Sequence, residues 1–260
     1  MKSLGVLTIA TRQYFKYWEQ MIRSAEENFS NEIIINFHVF TDQYNSALEI
    51  ALTSPYLNVI PHQIDDLGWP EATLKRYEII TNHKESYSED YLLHLDADML
   101  FKAPLSSLCS ELEKQNIVSL VRHPGFYRPE GVRRILFYIG NPRFVPRDLK
   151  AKLSLGGIGA WETDIKSNAY VPRNLRSNYF CGATWFGPKA KVLDLCQNLS
   201  SNVDADRESG ITAKWHDESH LNRWATINEF NALKPNFCFD PTFPQLQQLE
   251  EIIRAVDKRK

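Results

Sequence analysis

The 260-residue chain contains no apolar run long enough to cross a bilayer, and its N-terminus (Met1-Lys2-Ser3-Leu4-Gly5) enters a strand pattern at once. Neither a membrane span nor a removable leader is expected, so the sequence reads as soluble and cytoplasmic. It also lacks an excess of charge of one sign. A formal net charge of −2 gives no electrostatic ground to expect nucleic acid or an acidic membrane as partner. Cysteine is sparse: Cys109, Cys181, Cys196 and Cys238 are irregularly spaced, which fits neither a zinc ribbon nor a disulfide framework. No glycine-rich phosphate loop precedes a helix, which argues against kinase and dehydrogenase chemistry. Internal repeats and low-complexity linkers are absent as well. What remains is an ordinary globular composition, 43% hydrophobic and 24% charged, with a generous six Trp and eleven Tyr.

The first half alternates strand and helix signals. Leu4–Ala10 reads as a buried strand and Tyr14–Asn28 as an amphipathic helix, followed by a strand at Ile33–Phe40 and a short one at Leu57–Pro61. Pro70–His83 reads as a helix with proline near its start, where the missing N–H matters little, and Tyr91–Leu95 as a fourth strand. Such alternation predicts an α/β fold with a mostly parallel sheet, whose ligands sit at the carboxyl ends of strands. In the second half, Asn116–Arg122 and Tyr179–Phe186 read as strands and Pro188–Leu199 as a helix. Arg128–Gly159 is basic and aromatic with no assigned form, and Gly156-Gly157-Ile158-Gly159 suggests a flexible turn or hinge.

Chemistry concentrates in three places. At the end of the fourth strand, Leu95-Asp96-Ala97-Asp98-Met99 delivers two carboxylates one residue apart. On extended backbone alternate side chains share a face, so Asp96 and Asp98 can converge on one hard divalent cation. Spacing alone decides nothing, since Asp204-Ala205-Asp206 repeats it in a helix-like context. Trp215-His216-Asp217-Glu218-Ser219-His220 gathers an aromatic, two histidines and two adjacent carboxylates in six residues. Asp217 suits a helix cap and Glu218 a first helical turn, yet a carboxylate beside an anomeric carbon can also stabilise or attack an oxocarbenium-like centre. His123-Pro124-Gly125-Phe126-Tyr127 follows a strand directly, a natural place for ligand contact.

These motifs carry a resemblance. Val39-Phe40-Thr41-Asp42-Gln43, Leu74-Lys75-Arg76-Tyr77-Glu78, the Asp96 and His123 motifs, Ser167-Asn168-Ala169-Tyr170-Val171-Pro172, Cys181-Gly182-Ala183 and Trp215 through Asn222 occur in the order found in family 6 glycosyltransferases. That family includes the blood-group A and B transferases and the α-1,3-galactosyltransferases, and this chain resembles a soluble member of bacterial or phage type that keeps both aspartates. The resemblance implies a single GT-A domain over 1–260, with 1–100 mainly nucleotide-binding and 101–260 mainly acceptor-binding and catalytic.

It implies further that galactose or N-acetylgalactosamine moves from a UDP-sugar to the 3-OH of a β-galactoside or fucosylated acceptor, with retention and α-1,3 linkage. Asp96 and Asp98 would hold Mn²⁺, with Mg²⁺ as substitute. Ile9, Ala10 and Tyr14 would receive uracil, Arg76, Asp96, Gly182 and Asp217 the donor, and Lys258 the diphosphate. Glu218 matches the nucleophile, and His123, Trp215 and His216 match acceptor contacts. Cys181 and Ala183, around Gly182, match the pair that selects the donor sugar, although the triplet fits neither sugar's pattern cleanly. The Arg128–Gly159 stretch is longer than the family's usual spacing. A UDP-sugar hydrolase and a catalytically silent lectin-like protein are the competing readings.

Overall fold

The computed structural model describes residues 3–29, 34–104 and 116–257. Strand β1 (Ser3–Ile9) buries apolar side chains on both faces, Leu4 and Val6 on one and Leu7 on the other. A strand of that composition belongs in the middle of a covered parallel sheet. Its parallel neighbours are β2 (Ile34–Thr41) and β4 (Tyr91–Leu95), and β3 (Asn58–Gln63) extends the sheet beyond β2. On the other side of β4 come β7 (Phe180–Pro188), then β6 (Ser119–Arg122) and β8 (Asn231–Leu233). The order is β3-β2-β1-β4-β7-β6-β8, with β7 antiparallel to both neighbours. The expected mostly parallel sheet is therefore present.

Helices cover both faces. Helix α1 (Tyr14–Glu27) turns Phe15, Trp18, Met21, Ile22 and Ala25 onto one side of the sheet, the three-to-four spacing of an amphipathic helix. Its N-terminus carries no side-chain cap, while at the C-terminus the Asn28 amide donates to the Ser24 carbonyl at 2.9 Å, so tertiary packing does most of the holding. Its last turn fixes β5 (Met99–Phe101): Ser24 Oγ accepts the Phe101 N–H at 3.0 Å and donates to the Met21 carbonyl at 2.7 Å. Strand β5 pairs with β9 (Ile253–Ala255), and the Val256 N–H donates to the Asp98 carbonyl at 2.8 Å. The chain's C-terminal segment thus returns beside the Asp96–Asp98 corner.

Several elements differ from the sequence reading for physical reasons. Helix α2 (Tyr44–Thr53) was not expected; it buries only Ala47 and so shows no apolar stripe. The helix expected over Pro70–His83 is two, α3 (Glu71–Leu74) and α4 (Arg76–Asn82), broken at Lys75, whose φ of −90° and ψ of 0° leave the helical region. The break coincides with the burial of Arg76, which three polar groups hold in place. Arg128–Gly159 contains α5 (Val132–Gly140) and α6 (Phe144–Leu155).

The helix expected to end at Leu199 is α7 (Lys189–Glu208), which absorbs Asp204-Ala205-Asp206. Asp206 there is buried and accepts from Ser167 Oγ at 2.5 Å and Asn168 N at 2.7 Å, while Asp204 is exposed. The Gly156–Gly159 segment is a packed turn and not a hinge. Gly156 closes α6 at φ 79°, and a Cβ on Gly159 would sit 2.7 Å from both Trp161 and Tyr179.

Candidate active site

The carboxyl ends of β1 and β4 and the start of α4 frame a cleft with room for about 210 Å³, lined by Ile9, Tyr14, Arg76, Asp96 and Asp98 among others. Five residues named from sequence thus meet in one cavity. Ala10 does not line it and is fully buried in the core beneath. Lys258 lies outside the described residues, as does Cys109.

Arg76 is the hub. Its guanidinium donates to Asp96 Oδ1 at 2.6 Å, to Asp217 Oδ2 at 2.6 Å and to the Gly182 carbonyl at 2.9 Å. Burial works against its charge, but Asp217 and Asp96 outweigh that and hold its pKa above the usual value. Asp217 is buried too, which raises its carboxyl to about 6 in spite of Arg76. Glu218 beside it is raised further, to about 7, by burial and then by the charges of Asp217 and Asp96, against the Gly182 and Tyr179 hydrogen bonds. Its Oε2 accepts the Gly182 N–H at 2.8 Å.

These two carboxylates come from the first turn of α8 (His216–Trp224), after Trp215. His216 enters that helix at φ 46°, a left-handed conformation that costs a non-glycine residue about 1–2 kcal/mol. The turn sends Asp217 inward and lays the His216 ring edge-on to Trp69, centroids 5.1 Å apart. Trp215 stays half-exposed, with its backbone N–H donating to Ser219 Oγ at 3.0 Å. Asn222 then clamps the helix to β7, exchanging hydrogen bonds with Phe180 N and O at 2.9 and 2.8 Å.

Strand β7 has a local irregularity where its pairing with β6 shifts between Leu120 and Arg122. Such shifts re-aim side chains. Gly182 faces the carboxylates, where a Cβ would lie 3.2 Å from Asp217 Oδ2 and 3.3 Å from Glu218 Cβ. Cys181 and Ala183 face the other way, toward the core that holds Cys238, with Cys181 buried and Ala183 partly exposed. The two halves of the expected selectivity pair therefore stand apart from Gly182. His123 packs on Phe126 and Tyr179, at centroid distances of 4.8 and 5.8 Å, and burial lowers its pKa to about 4. The Tyr179 hydroxyl lies within the electrostatic reach of Glu218, so His123 stands one ring away from that carboxylate.

Sequence reading missed three contributors. His94 stacks on Trp185 (4.7 Å, 23°), and burial lowers its pKa to about 4. A neutral ring bonds a carboxylate only by donating, so His94 Nε2–H points to Asp96 Oδ1 at 3.3 Å. Its i, i+2 spacing from Asp96 is the signal that could have found it. Tyr179 and Asn222 gave no signal of their own, since each acts through a partner far away in sequence.

The profile of glycosyltransferase family 6 matches residues 2–135 and 159–260. The chain belongs to glycosyltransferase family 6. Its three-layer α/β architecture is accordingly GT-A-like. The chain is 28% identical over 256 residues to human globoside alpha-1,3-N-acetylgalactosaminyltransferase 1, covering 96% of this chain and 65% of that protein. It is 25% identical over 242 residues to rat histo-blood group ABO system transferase 1, covering 92% of this chain and 61% of that protein. O-antigen biosynthesis glycosyltransferase WbnI of Escherichia coli is 22% identical over 258 residues, covering 98% of this chain and 95% of that protein. The chain thus spans less than two thirds of the length of these two animal relatives. No helix among the described residues is long and apolar enough to cross a membrane.

Proposed function

We propose that this family 6 glycosyltransferase moves galactose or N-acetylgalactosamine from a UDP-sugar to the 3-OH of a β-galactoside-type acceptor, forming an α-1,3 linkage with retention. The observation that carries the reading is Arg76, which ties the strand-end carboxylate Asp96 to Asp217 and stands beside Glu218. A lectin or a plain scaffold has no use for buried acids held at the edge of ionisation; a glycosyl-transfer site does.

Ile9 and Tyr14 would flank the nucleotide, and Arg76 would lie along the donor sugar. Glu218, ionised as its carboxyl loses its proton near pH 7, would face the anomeric carbon, either attacking it or stabilising an ion pair on one face. Asp217, through Arg76, would fix the donor's orientation. His123, Tyr179 and Trp215 would receive the acceptor.

A divalent cation, Mn²⁺ with Mg²⁺ as substitute, fits the donor set. The cleft is lined by Asp96, Asp98, Arg76 and Arg12; Arg12 is paired with Asp66, and Asp217 and Glu218 stand beside Arg76, so acids outnumber cations around Arg76 and favour a cation. No third His, Cys, Asp or Glu joins Asp96 and Asp98 among the described residues, so diphosphate oxygens and water would complete the shell. When bound, the ion would supply Lewis-acid relief of charge on the departing UDP.

The test is UDP release from UDP-galactose and UDP-N-acetylgalactosamine, with and without a β-galactoside, in Mn²⁺ and in chelator. Mn²⁺-dependent release that rises with acceptor is expected. Release indifferent to acceptor would make the chain a hydrolase, and UDP binding without release from either donor would overturn the proposal.

A further inference from the structure

The segment that the family profile leaves out, residues 136–158, contains most of α5 and all of α6. The exposed surface of these two helices is unlike the rest of the molecule. On α5, Val132, Ile135, Leu136 and Ile139 follow i, i+3, i+4, i+7 spacing, and all are 58–72% exposed. On α6, Val145, Leu149 and Leu153 recur every fourth residue at 46–67% exposed. Of sixteen exposed large apolar residues among the described ones, these two helices carry seven. Both stripes are amphipathic patterns turned outward, the reverse of a helix whose apolar face meets its own core.

The inward sides are firmly held. Arg128 lies over the Phe144 ring at 4.8 Å and donates to Asp148 at 2.5 and 2.8 Å, and Tyr138 adds a 2.9 Å hydrogen bond to the same carboxylate. The outward apolar stripes are therefore the presented side of a fixed helical pair and not a frayed tail. Interleaved with them are Arg133, Arg134, Arg143, Arg147, Lys150 and Lys152, all exposed, while the one acid of the two helices, Asp148, is the buried partner of Arg128. The whole-chain net charge of −2 conceals this local excess of positive charge.

We infer that α5 and α6 form a binding site for an anionic lipid surface, lying in the plane of the interface with the apolar stripes inserted and the cations at headgroup level. Protruding apolar side chains ringed by Lys and Arg are what an interfacial helix needs. A second copy of this chain would bring the same cations against themselves across a two-fold axis, which disfavours it as occupant. Exposures near two thirds describe side chains that stand out, not the groove that would receive a partner helix. Docking there would set the acceptor side of the cleft close to the membrane, because α6 leads into Gly157 and Gly159, which pack on Trp161, and Tyr179 links Trp161 to Glu218.

The experiment is cosedimentation of the full chain with vesicles of phosphatidylcholine alone and of phosphatidylcholine mixed with phosphatidylglycerol, at low salt and at about 0.5 M salt. Binding to the anionic vesicles at least about tenfold tighter than to neutral ones is expected, weakening in salt. Ile135→Ser/Ile139→Ser/Leu149→Ser should lose at least about tenfold in partitioning. Arg133→Glu/Arg143→Glu/Lys150→Glu, which alters only exposed charges, should lose a similar factor and its salt dependence, with the melting temperature of each variant recorded as the check on folding. Failure of the parent chain to sediment with anionic vesicles, equal binding to neutral ones, or undiminished binding by a folded variant would each overturn the inference. A concentration-dependent dimer abolished by the serine variant, without vesicle binding, would overturn it too and assign the face to self-association.

Discussion

The substitution Glu218→Gln should make the protein more stable and less active at once, and the stability gain should depend on pH in a way that only an ionisable group explains. Burial raises the Glu218 carboxyl from 4.5 to about 7. At about 1.4 kcal/mol per pH unit, holding it ionised at pH 8 costs about 3 kcal/mol. The native carboxyl keeps its proton to higher pH than the unfolded one does, so its contribution is fully present below pH 4.5. That contribution is lost as pH rises through about 7. The neutral amide of the variant would keep an oxygen for the Gly182 N–H, and the extra strength that charge gives that 2.8 Å bond is already contained in the value of about 7.

The net expectation is a gain of under about 1 kcal/mol at pH 5 and of about 3 kcal/mol at pH 8. For a domain of this size the gain at the higher pH is a rise in melting temperature of roughly 6–12 °C. Thermal unfolding of both proteins across pH 5 to about 8, read beside UDP release, is the assay. A stability difference that does not change with pH, or a variant less stable than the parent at pH 8, would refute the reasoning. Near-normal turnover by the variant would separately remove Glu218 from the chemistry.

Gly182→Ala would insert a methyl 3.2 Å from Asp217 Oδ2 and 3.3 Å from Glu218 Cβ. Donor turnover should drop at least about tenfold while the protein stays folded, because a misplaced reacting group is costly far beyond its packing energy. Unchanged turnover would show that the Gly182 approach does not position the carboxylates. At the other end of the sheet, burial and the neighbouring His38 and His83 lower His62 to about 4 from 6.5. The native state thus resists a proton that the unfolded chain accepts, and stability present above pH 6.5 is lost as pH falls through about 4. His62→Gln should flatten the decline of melting temperature with acid over that range, and an identical decline in both proteins would exclude this residue as its cause.

The sheet was legible in the sequence because its central strands are apolar on both faces and end abruptly in chemistry. Leu4–Ala10 and Tyr91–Leu95 were placed to within a residue of β1 and β4. What stayed hidden depends on contacts between distant residues. Helix α2 buries a single side chain, so no periodic stripe announces it. The break at Lys75 follows no glycine or proline; it accompanies the turning of Arg76 toward Asp217, 141 positions away in sequence. The continuation of α7 through Asp204-Ala205-Asp206 depends on Ser167 and Asn168, which bind Asp206 from another segment. The outward stripes of α5 and α6 obey the same spacing as a core-facing helix. Only the folded arrangement reveals which way they point.

The candidate site divides along the same physical line. Residues that announce themselves by local density of function, Asp96 with Asp98 and Asp217 with Glu218, were found as pairs, and the fold brings the two pairs to one arginine. Their different environments were not legible. Asp96 is partly exposed at the cleft, Asp217 is buried against Arg76, and Glu218 is half-buried against a backbone N–H, so Asp217 and Glu218 hold their protons to different pH. That separation is set by Gly182, whose missing side chain admits all three partners, and by Asn222, which fixes the α8 backbone against Phe180. Neither side chain can act as an acid or base at neutral pH. The chemistry of the site is carried by conspicuous residues, while its tuning is carried by a glycine and an amide whose roles exist only once β7 and α8 have met.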